Sequence, residues 1–143
     1  MTNANDLRAL LPWSHPFLMV DRMLDCVPHE RVVTLKRVTA GDALAESGDW
    51  DGLHFPATLV LEGLSQSAAL LFRLSYGPDA LSGAPMLGHL SATLAGAPQP
   101  GDTIEYTVRA IKMTSRAGIF AGVARVDGVE IATAELAFGV GAR

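Results

Sequence analysis

Glu62 occupies a position in this sequence that calls for a chemical explanation. It lies within Pro56 to Leu74, a stretch that is apolar almost all the way round when it is drawn as a helix. Burying a charged carboxylate is unfavourable unless the group is paired or protonated. Glu62 is therefore either a structural polar residue, satisfied by backbone groups or water, or an acid that acts inside an apolar site.

Two further residues extend this polarity along the same stretch. Gln66 follows Glu62 by four residues and shares its helical face, and Ser65 lies close to that face. The three side chains form one polar stripe on an otherwise apolar helix.

His54 stands just before this stretch, in the run Leu53-His54-Phe55-Pro56. A histidine and a carboxyl group that face one apolar pocket can eliminate water from a 3-hydroxyacyl chain. The imidazole takes a proton from C2, and the carboxyl group protonates the departing C3 hydroxyl. Free amides at a helix start are suited to stabilise the enolate-like oxygen. A histidine in a loop near a helix more often has no catalytic role, so this pattern alone leaves the function open.

The stretch itself predicts one long buried helix that begins at about Ala57 and runs to Leu74. Pro56 stands at its start, and Tyr76-Gly77-Pro78 is a stop signal. A helix that is apolar all round is buried rather than surface-lying. Its length approaches that of a membrane span, but three polar side chains inside it are costly in lipid. We therefore expect no membrane span.

Other segments predict the elements that surround this helix. Asn5 or Asp6 is suited to cap a short helix that runs through Leu11. Pro16 to Leu24 predicts an apolar strand or extended segment, and Gly41 to Gly52 predicts a loop. Arg31 to Thr39 is rich in β-branched residues and predicts a strand with its wetter side formed by Arg31, Thr34 and Lys36.

The last third of the chain predicts consecutive strands separated by turn signals. Asp127-Gly128 is the strongest hairpin signal. A helix followed by hairpin-linked strands indicates an α+β fold in which the helix covers one face of an antiparallel sheet. The predicted strands are Met86 to Leu94, Thr103 to Met113, Gly118 to Val126 and Glu130 to Val140.

Composition limits the classes of function. The chain has 143 residues, of which 49% are apolar and 18% charged, which is typical of a compact fold. The length suits one domain, which we expect to span residues 1–143. The formal charge of −4 and the absence of a Lys/Arg run argue against nucleic acid as a partner.

Cysteine and histidine usage narrows the chemistry further. Cys26 is the only cysteine, which excludes an internal disulfide and a cysteine-based zinc site, and it is best interpreted as a buried small apolar residue. His15, His29 and His89 have no metal-ligand spacing, so we expect no metal and no other cofactor. Met1 to Asp6 lacks the pattern of a signal peptide, so we expect a cytoplasmic location.

Several motifs together resemble the 3-hydroxyacyl-ACP dehydratases of type II fatty acid and polyketide synthesis, over nearly the whole chain. The segment from Leu10 to Arg22 is similar to the family's "LLPH-x-x-PFLLVDR" motif. Phe55 to Gln66 is similar to its "MPGVLIVEALAQ" helix start. Weaker similarities are found at Lys36-Arg37-Val38-Thr39 ("K-N-V-T" in the family), Pro100-Gly101-Asp102, Ala121-Gly122-Val123-Ala124 and Val126-Asp127-Gly128.

This resemblance implies a hot-dog fold, an antiparallel sheet wrapped around one central helix. It also implies a dimer with two active sites at the subunit interface and an acyl carrier protein that delivers the substrate. In the family each site combines a histidine from one subunit with a Glu or Asp from the other subunit's central helix. Glu62 matches that acid and Gln66 the neighbouring glutamine. The expected substrate contacts are Phe55, Pro56, Ala57 and Gln66.

The family's histidine has no direct counterpart. An alignment without gaps between Asp21 and Glu62 places Gly48 where the family carries the histidine of its G-H-F-P motif. Aligning His54-Phe55-Pro56 with that motif requires a deletion of six residues before the helix. We favour the ungapped alignment because it explains Pro56 as the proline at the helix start. A basic patch that helps the family to dock the carrier protein is also replaced, by Ser91, Thr93, Ala95 and Gly96.

Three hypotheses remain open. In the first, this subunit pairs with a complete dehydratase paralogue and lends Glu62 to the partner's histidine, similar to the unequal dehydratase pairs of polyene pathways. In the second, His54 serves as the base in an active homodimer. In the third, the chain is a different hot-dog protein, either an acyl thioesterase or a non-catalytic acyl binder, since fold alone does not separate these chemistries. Trp13 and Trp50 are expected to be core or interface aromatics, with Trp50 near the acyl entrance.

Overall fold

The computed structural model describes residues 4–42, 44–45 and 53–141. Most of the predicted loop from Gly41 to Gly52, with Gly48 and Trp50, lies outside the described residues. The elements in chain order are α1 (Ala4–Leu10), β1 (Arg22–Val27), β2 (Arg31–Arg37), β3 (Leu44–Ala45), β4 (Leu53–His54), α2 (Ala57–Tyr76), β5 (Pro85–Leu94), β6 (Thr103–Thr114), β7 (Ala117–Val126) and β8 (Val129–Val140).

The long helix predicted from the apolar stretch is present as α2. Pro56 precedes its first residue, where the missing N–H of proline costs no intrahelical bond. Gly77 follows its last residue with a φ of 97°, and the Gly77 N–H donates to the Arg73 carbonyl at 3.0 Å. Both boundary signals in the sequence are confirmed. Within the described residues, no helix is long and apolar enough to cross a membrane.

Six strands form one antiparallel sheet in the order β1-β2-β6-β7-β8-β5, and β3 pairs with β4 separately. Helix α2 packs on one face of this sheet, mainly against β2, β6, β7 and β8. Its residues Leu64, Leu70, Leu71 and Phe72 are completely buried there. This arrangement confirms the α+β class and the wrapped central helix of the hot-dog fold, with β1 and β5 as the two sheet edges.

Two of the predicted hairpins in the last third of the chain are confirmed, β6–β7 and β7–β8. The hairpin predicted between β5 and β6 is wrong, because β5 crosses over and pairs with β8. Asp127 and Gly128 join β7 to β8, and both have positive φ, 50° and 78°. Two successive residues with positive φ are the geometry of the tight turn that matches strand twist, which explains why Asp-Gly is favoured there.

Pro16 to Leu24, predicted as a strand or an extended segment, is a strand only at its end, since β1 runs from Arg22 to Val27 and residues 18–21 belong to no strand. Residues 14–17 form a turn instead, in which the N–H groups of Phe17 and Leu18 both donate to the Ser14 carbonyl. Between this turn and β1, the Met19 N–H donates to the Gln66 side chain of α2, and the Asp21 N–H donates to the Leu35 carbonyl of β2. A side chain of α2 thus takes one of the hydrogen bonds that strand pairing would have made.

The predicted faces of β2 also require correction. Val32, Thr34, Lys36 and Val38 alternate inward and are buried, so Thr34 and Lys36 do not lie on the wetter side. Their polar groups are paired instead. The Thr34 hydroxyl shares a 2.8 Å hydrogen bond with the Ser67 hydroxyl of α2, and the Lys36 ammonium contacts the Asp42 carboxylate at 3.2 Å. Pairing makes burial of these polar groups tolerable.

Gly63 allows α2 to approach the sheet closely. A Cβ atom at this position would overlap the phenol end of Tyr106 on β6. Tyr106 is completely buried, and its hydroxyl is the one buried side-chain polar atom without a hydrogen-bond partner in the described part of the chain. Burial, with a smaller contribution from the charge of Asp21, raises the pKa of Tyr106 far above its ordinary value, so the phenol stays neutral. The contact between Gly63 and Tyr106 sets the distance between α2 and the sheet at the position next to Glu62.

Asp42 fixes the chain after β2. Its Oδ2 accepts hydrogen bonds from the Thr39 N–H and hydroxyl, both at 2.9 Å, and from the Lys36 ammonium at 3.2 Å. Partial burial by itself raises the pKa of Asp42, but the bonds from Thr39 and the nearby charge of Lys36 outweigh burial and hold the pKa below its ordinary value of 3.8.

We expect Gly63→Ala to destabilise the protein by about 1–3 kcal/mol, because the added methyl group overlaps Tyr106. The sign of the change in stability is informative, because helix propensity alone would make the Ala variant more stable by about 1 kcal/mol. Urea denaturation measures the change. In a Tyr106→Val background, which leaves room for the methyl group, the same substitution should cost less. A gain in stability from Gly63→Ala in the wild-type background would contradict the close packing described above.

We expect Asp42→Asn to lower the free energy of unfolding by on the order of 1 kcal/mol at neutral pH. Because the folded-state pKa lies below the unfolded-state value, the carboxylate stabilises the fold above the unfolded-state pKa, and this contribution is lost as the pH falls through the folded-state pKa. Denaturation of both proteins at a series of pH values should give a constant difference above about pH 5 that shrinks below about pH 4. A difference that grows on acidification would be inconsistent with this pairing.

Candidate active site

Gln66 is the centre of the polar stripe on α2. It is completely buried, and its amide makes three hydrogen bonds. The Met19 N–H donates to Oε1 at 2.7 Å. The Nε2 group donates to the Phe17 carbonyl at 2.7 Å and to Oε1 of Glu62 at 3.0 Å. One side chain therefore attaches the segment before β1 to the central helix and, at the same time, holds the carboxyl group of Glu62.

The orientation of this amide is fixed by its partners. A flip of the Gln66 amide would set Nε2 against the Met19 N–H and Oε1 against the Phe17 carbonyl, two repulsive contacts. The second N–H of Nε2 is then directed to Glu62, one turn earlier on the helix. Since the amide donates to Oε1, the carboxyl group of Glu62 keeps Oε2 for a proton or for a substrate.

A cavity of about 200 Å³ lies beside Glu62. Apart from Glu62 and Ser65, its walls are mainly apolar and come from three parts of the chain: the segment before β1, helix α2, and the paired strands β5 and β8. The cavity is lined by Trp13, Glu62, Ser65, Ala69, Pro85, Leu87 and Phe138. A carboxyl group that faces an apolar cavity is the arrangement expected of a general acid for an acyl chain.

The cavity lies at the β5 edge of the sheet. Leu87 lines it on the inner face and is nevertheless 52% exposed, because no further strand of the described residues pairs with β5. Every residue of β5 from Met86 to Leu94 is exposed, on both faces of the strand. The large apolar side chains among them are Met86, Leu87, Leu90 and Leu94.

The other predicted site residues lie at the start of α2 or just before it. His54 ends β4 and is half-buried, and Phe55 is completely buried in the core with its N–H donating to the Pro98 carbonyl. Among the described residues, the structure brings Glu62 and Gln66 together. Neither Gln66 nor His54, Phe55, Pro56 or Ala57 is among the residues that line the cavity. The roles predicted for these residues at the substrate stay predictions.

The start of α2 has no side-chain cap. Pro56 occupies the N-cap position, and its carbonyl accepts the N–H groups of Leu59 and Val60. The preceding amides, those of Ala57 and Thr58, are the ones that a helix leaves without an intrahelical partner. They lie little more than one turn before Glu62 and are suited to bind an oxyanion.

The surroundings of Cys26 and His29 indicate structural roles for both side chains. Burial raises the pKa of the Cys26 thiol, and the negative charge of Asp25 adds to this effect while Arg31 opposes it, so the thiol form is favoured over the reactive thiolate. His29 lies edge-on to Tyr76, with ring centres 5.0 Å apart. In the part of the chain that the structure describes, no group of three His, Cys, Asp or Glu residues could hold a metal ion.

Three cavity residues were not singled out as site residues by the sequence. These residues are Trp13, Leu87 and Phe138. More than 120 positions of sequence separate the first from the last, so no local sequence pattern connects them. The apolar alternation in β8 predicts that Phe138 is buried, but not that it lies beside Glu62. Strand pairing between Leu87 and Phe138 brings the two walls together.

Comparison with known proteins finds relatives that match most of the chain. The chain is 37% identical over 137 residues to the 3-hydroxyacyl-acyl-carrier-protein dehydratase FabZ of Anaeromyxobacter sp. strain K, and the match covers 90% of this chain and 84% of the relative. It is 32% identical to FabZ of Enterococcus faecalis, covering 95% and 96%. No protein-family model matches the chain.

Solved structures share the fold. The dehydratase heterocomplex ApeI:P from Xenorhabdus doucetiae superimposes with a TM-score of 0.76 at 17% identity, covering 96% of this chain and 91% of that chain. A hypothetical thioesterase with coenzyme A from Streptococcus pneumoniae superimposes with a TM-score of 0.65 at 12% identity, covering 85% and 86%. At these identities the similarity concerns the fold alone.

We expect Gln66→Leu to lower the free energy of unfolding by about 1–3 kcal/mol, because the buried N–H of Met19 would lose its partner and the part-buried carbonyl of Phe17 would lose its bond to the amide. Urea denaturation measures the loss. Ser65→Ala is the matched control on the same helix face, since the Ser65 hydroxyl bonds only to the Leu61 carbonyl of its own helix. Equal effects of the two substitutions would argue against the role assigned to Gln66.

Proposed function

Since the chain belongs to the FabZ family of 3-hydroxyacyl-acyl-carrier-protein dehydratases, we propose that it is a hydro-lyase that converts a (3R)-hydroxyacyl thioester to the trans-2-enoyl thioester. The substrate is carried on acyl carrier protein, in fatty acid or polyketide synthesis. Glu62 acts as the acid. The cytoplasmic location expected from the sequence is part of this proposal.

One observation carries the proposal: Glu62 lines a mainly apolar cavity, and Gln66 holds its carboxyl group. The hydrogen bond from Gln66 uses Oε1 of Glu62, and the cavity walls are mainly apolar. A purely structural glutamate in a core helix would be expected to have all its polar atoms satisfied by protein groups. Glu62 instead combines one fixed oxygen with access to a cavity that suits a fatty acyl chain.

The reaction breaks two bonds and forms one double bond. A base takes the proton from C2, and the electron pair of that C–H bond forms the C2–C3 double bond. The C3–O bond breaks, and Glu62 gives its proton to the departing hydroxyl, which leaves as water. Amides at the start of α2 bind the thioester oxygen while negative charge develops on it. No cofactor is needed for this balance.

We propose that the base is supplied across a subunit interface. The ungapped alignment places Gly48 at the position of the family's histidine, and the observed start of α2 at Ala57, directly after Pro56, agrees with that alignment. His54 does not line the cavity of its own Glu62. A histidine of a partner subunit, directed into the open side of the cavity, completes the acid–base pair.

The exposed strand β5 supports this interface. A long edge strand with exposed apolar side chains on both faces is unfavourable for an isolated subunit. Pairing of β5 with the same strand of a second subunit would extend the sheet and cover the open side of the cavity at Leu87. The proposal therefore requires a dimer in which each cavity is built from two chains.

We favour a heterodimer with a complete dehydratase paralogue, because this chain supplies an acid but lacks the family's histidine at position 48. The similarity in fold to a chain of a dehydratase heterocomplex agrees with this choice. An active homodimer that uses His54 is the alternative. An acyl thioesterase or a non-catalytic acyl binder is a further alternative that the shared fold allows.

The test is dehydration of a 3-hydroxyacyl thioester by the purified chain, alone and mixed with a dehydratase paralogue from the same genome. We expect activity in the mixture, together with a mixed dimer in light scattering. Glu62→Gln in this chain should lower the dehydration activity of the mixture by about 10²–10⁴-fold. The amide of the variant can still accept the hydrogen bond from Gln66, but it has no acidic proton to give to the departing hydroxyl. The paralogue alone, with its own background activity subtracted, is the reference.

The alternatives give different results in the same assay. Activity of the chain alone that is abolished by His54→Ala would identify the homodimer and reject the heterodimer. Activity alone that survives His54→Ala would reject both assignments of the base. Hydrolysis of the thioester without loss of water would favour a thioesterase. Glu62→Gln with full dehydration activity would overturn the proposed function.

A further inference from the structure

We propose that Trp13 selects the acyl chain by closing the cavity beside Glu62 on the side of the segment before β1. The inference rests on the proposed function, because it assumes that the cavity receives the acyl part of the substrate. Trp13 is the largest side chain that lines the cavity. The assignment concerns which acyl chains fit, not the transfer of protons.

The position of Trp13 is tied to the position of Glu62. Trp13 is half-buried and packs against the hydrophobic core. Four residues later, the Phe17 carbonyl accepts a hydrogen bond from Gln66, the same side chain that binds Glu62. The backbone that carries the indole is therefore anchored, four residues away, to the side chain that binds Glu62. Because both residues line the same cavity, a substrate held by Glu62 lies against Trp13.

The opposite wall of the cavity is rigid by comparison. Phe138 on β8 stacks on Phe120, with ring centres 5.2 Å apart and planes 9° apart. It also meets Phe72 of α2 edge-on at 5.3 Å. Because Phe138 is held from both the sheet and the helix, its ring has little freedom to make room for a longer chain. Leu87 lies on the exposed edge strand, where we place the subunit interface.

Trp13 differs from these walls because it belongs to neither the sheet nor α2. It lies between α1 and β1, in a segment attached to the helix through Phe17 and Met19. Replacing the indole by a smaller side chain removes a wall without interrupting a strand or the central helix. The size of residue 13 is therefore the feature of the chain most directly placed to set the length of the acyl segment that fits next to Glu62.

The test measures binding rather than turnover. Saturated acyl thioesters of pantetheine, in a series of increasing chain length, lack the C3 hydroxyl and cannot be dehydrated. Calorimetric titration gives Kd for each chain, with the protein in the oligomeric form proposed above. Each methylene that enters the cavity should improve the affinity by about fourfold until the chain meets a wall. Wild-type affinity should reach a limit, and Trp13→Ala should move that limit to longer chains.

Two further variants keep the result interpretable. Trp13→Phe retains an aromatic wall and should give an intermediate limit even if Trp13→Ala is poorly folded. Tyr76→Ala removes an aromatic side chain that packs on Phe72 at the far end of α2, outside the cavity lining. This control should leave the chain-length limit unchanged. It separates a change of cavity shape from a general loss of stability.

The outcomes distinguish this inference from the function on which it rests. A chain-length limit that is the same in wild type, Trp13→Phe and Trp13→Ala overturns the role of Trp13, while dehydration by the mixture would still stand. Absence of binding for every chain length overturns the inference and the proposed function together. A limit that shifts to longer chains without any dehydration supports Trp13 as the selecting wall in an acyl binder, and rejects the dehydratase.

Discussion

The structure depends on how one buried amide is satisfied. Helix α2 is almost entirely apolar and is enclosed by the sheet, so Gln66 has no access to water and must find partners in the protein. It finds them in the backbone of Phe17 and Met19 and in the carboxyl group of Glu62. These bonds attach the segment before β1 to the helix and hold the carboxyl group of Glu62. Because the helix is buried, the Gln66 amide must bond to protein groups, and one of these groups is the carboxyl group of Glu62.

The same arrangement leaves the cavity beside Glu62 next to an exposed edge of the sheet. The cavity is closed by α2, β8 and the segment that carries Trp13, but it adjoins β5, whose outer edge and inner face are both exposed. An acid alone cannot dehydrate a hydroxyacyl chain, because a base must accept the proton from C2. In the proposed dimer, a second subunit at β5 supplies this base.

Sequence reasoning succeeded where local patterns determine the structure. The apolar stretch with Pro56 and Gly77 at its ends predicted α2 closely, and Asp127-Gly128 predicted its hairpin, because helix ends and tight turns depend on neighbouring residues. It was wrong about Thr34 and Lys36, whose burial depends on Ser67 and Asp42, partners that polarity alone does not reveal. Glu62 and Gln66 were predicted as neighbours from their helical spacing. Trp13 and Phe138 were not predicted to share a cavity, because only the folded sheet brings positions so distant in sequence together.

The central claim is that Glu62 of this chain and an imidazole of another subunit act on the same substrate. The most direct measurement is a crystal structure of the mixed dimer with an unreactive amide analogue of 3-hydroxyacyl pantetheine. The account predicts the C3 hydroxyl within hydrogen-bond distance of Oε2 of Glu62 and a partner histidine on the opposite side, next to C2. A structure in which Glu62 contacts no part of the analogue, or in which the histidine next to C2 belongs to the same chain as Glu62, would contradict it.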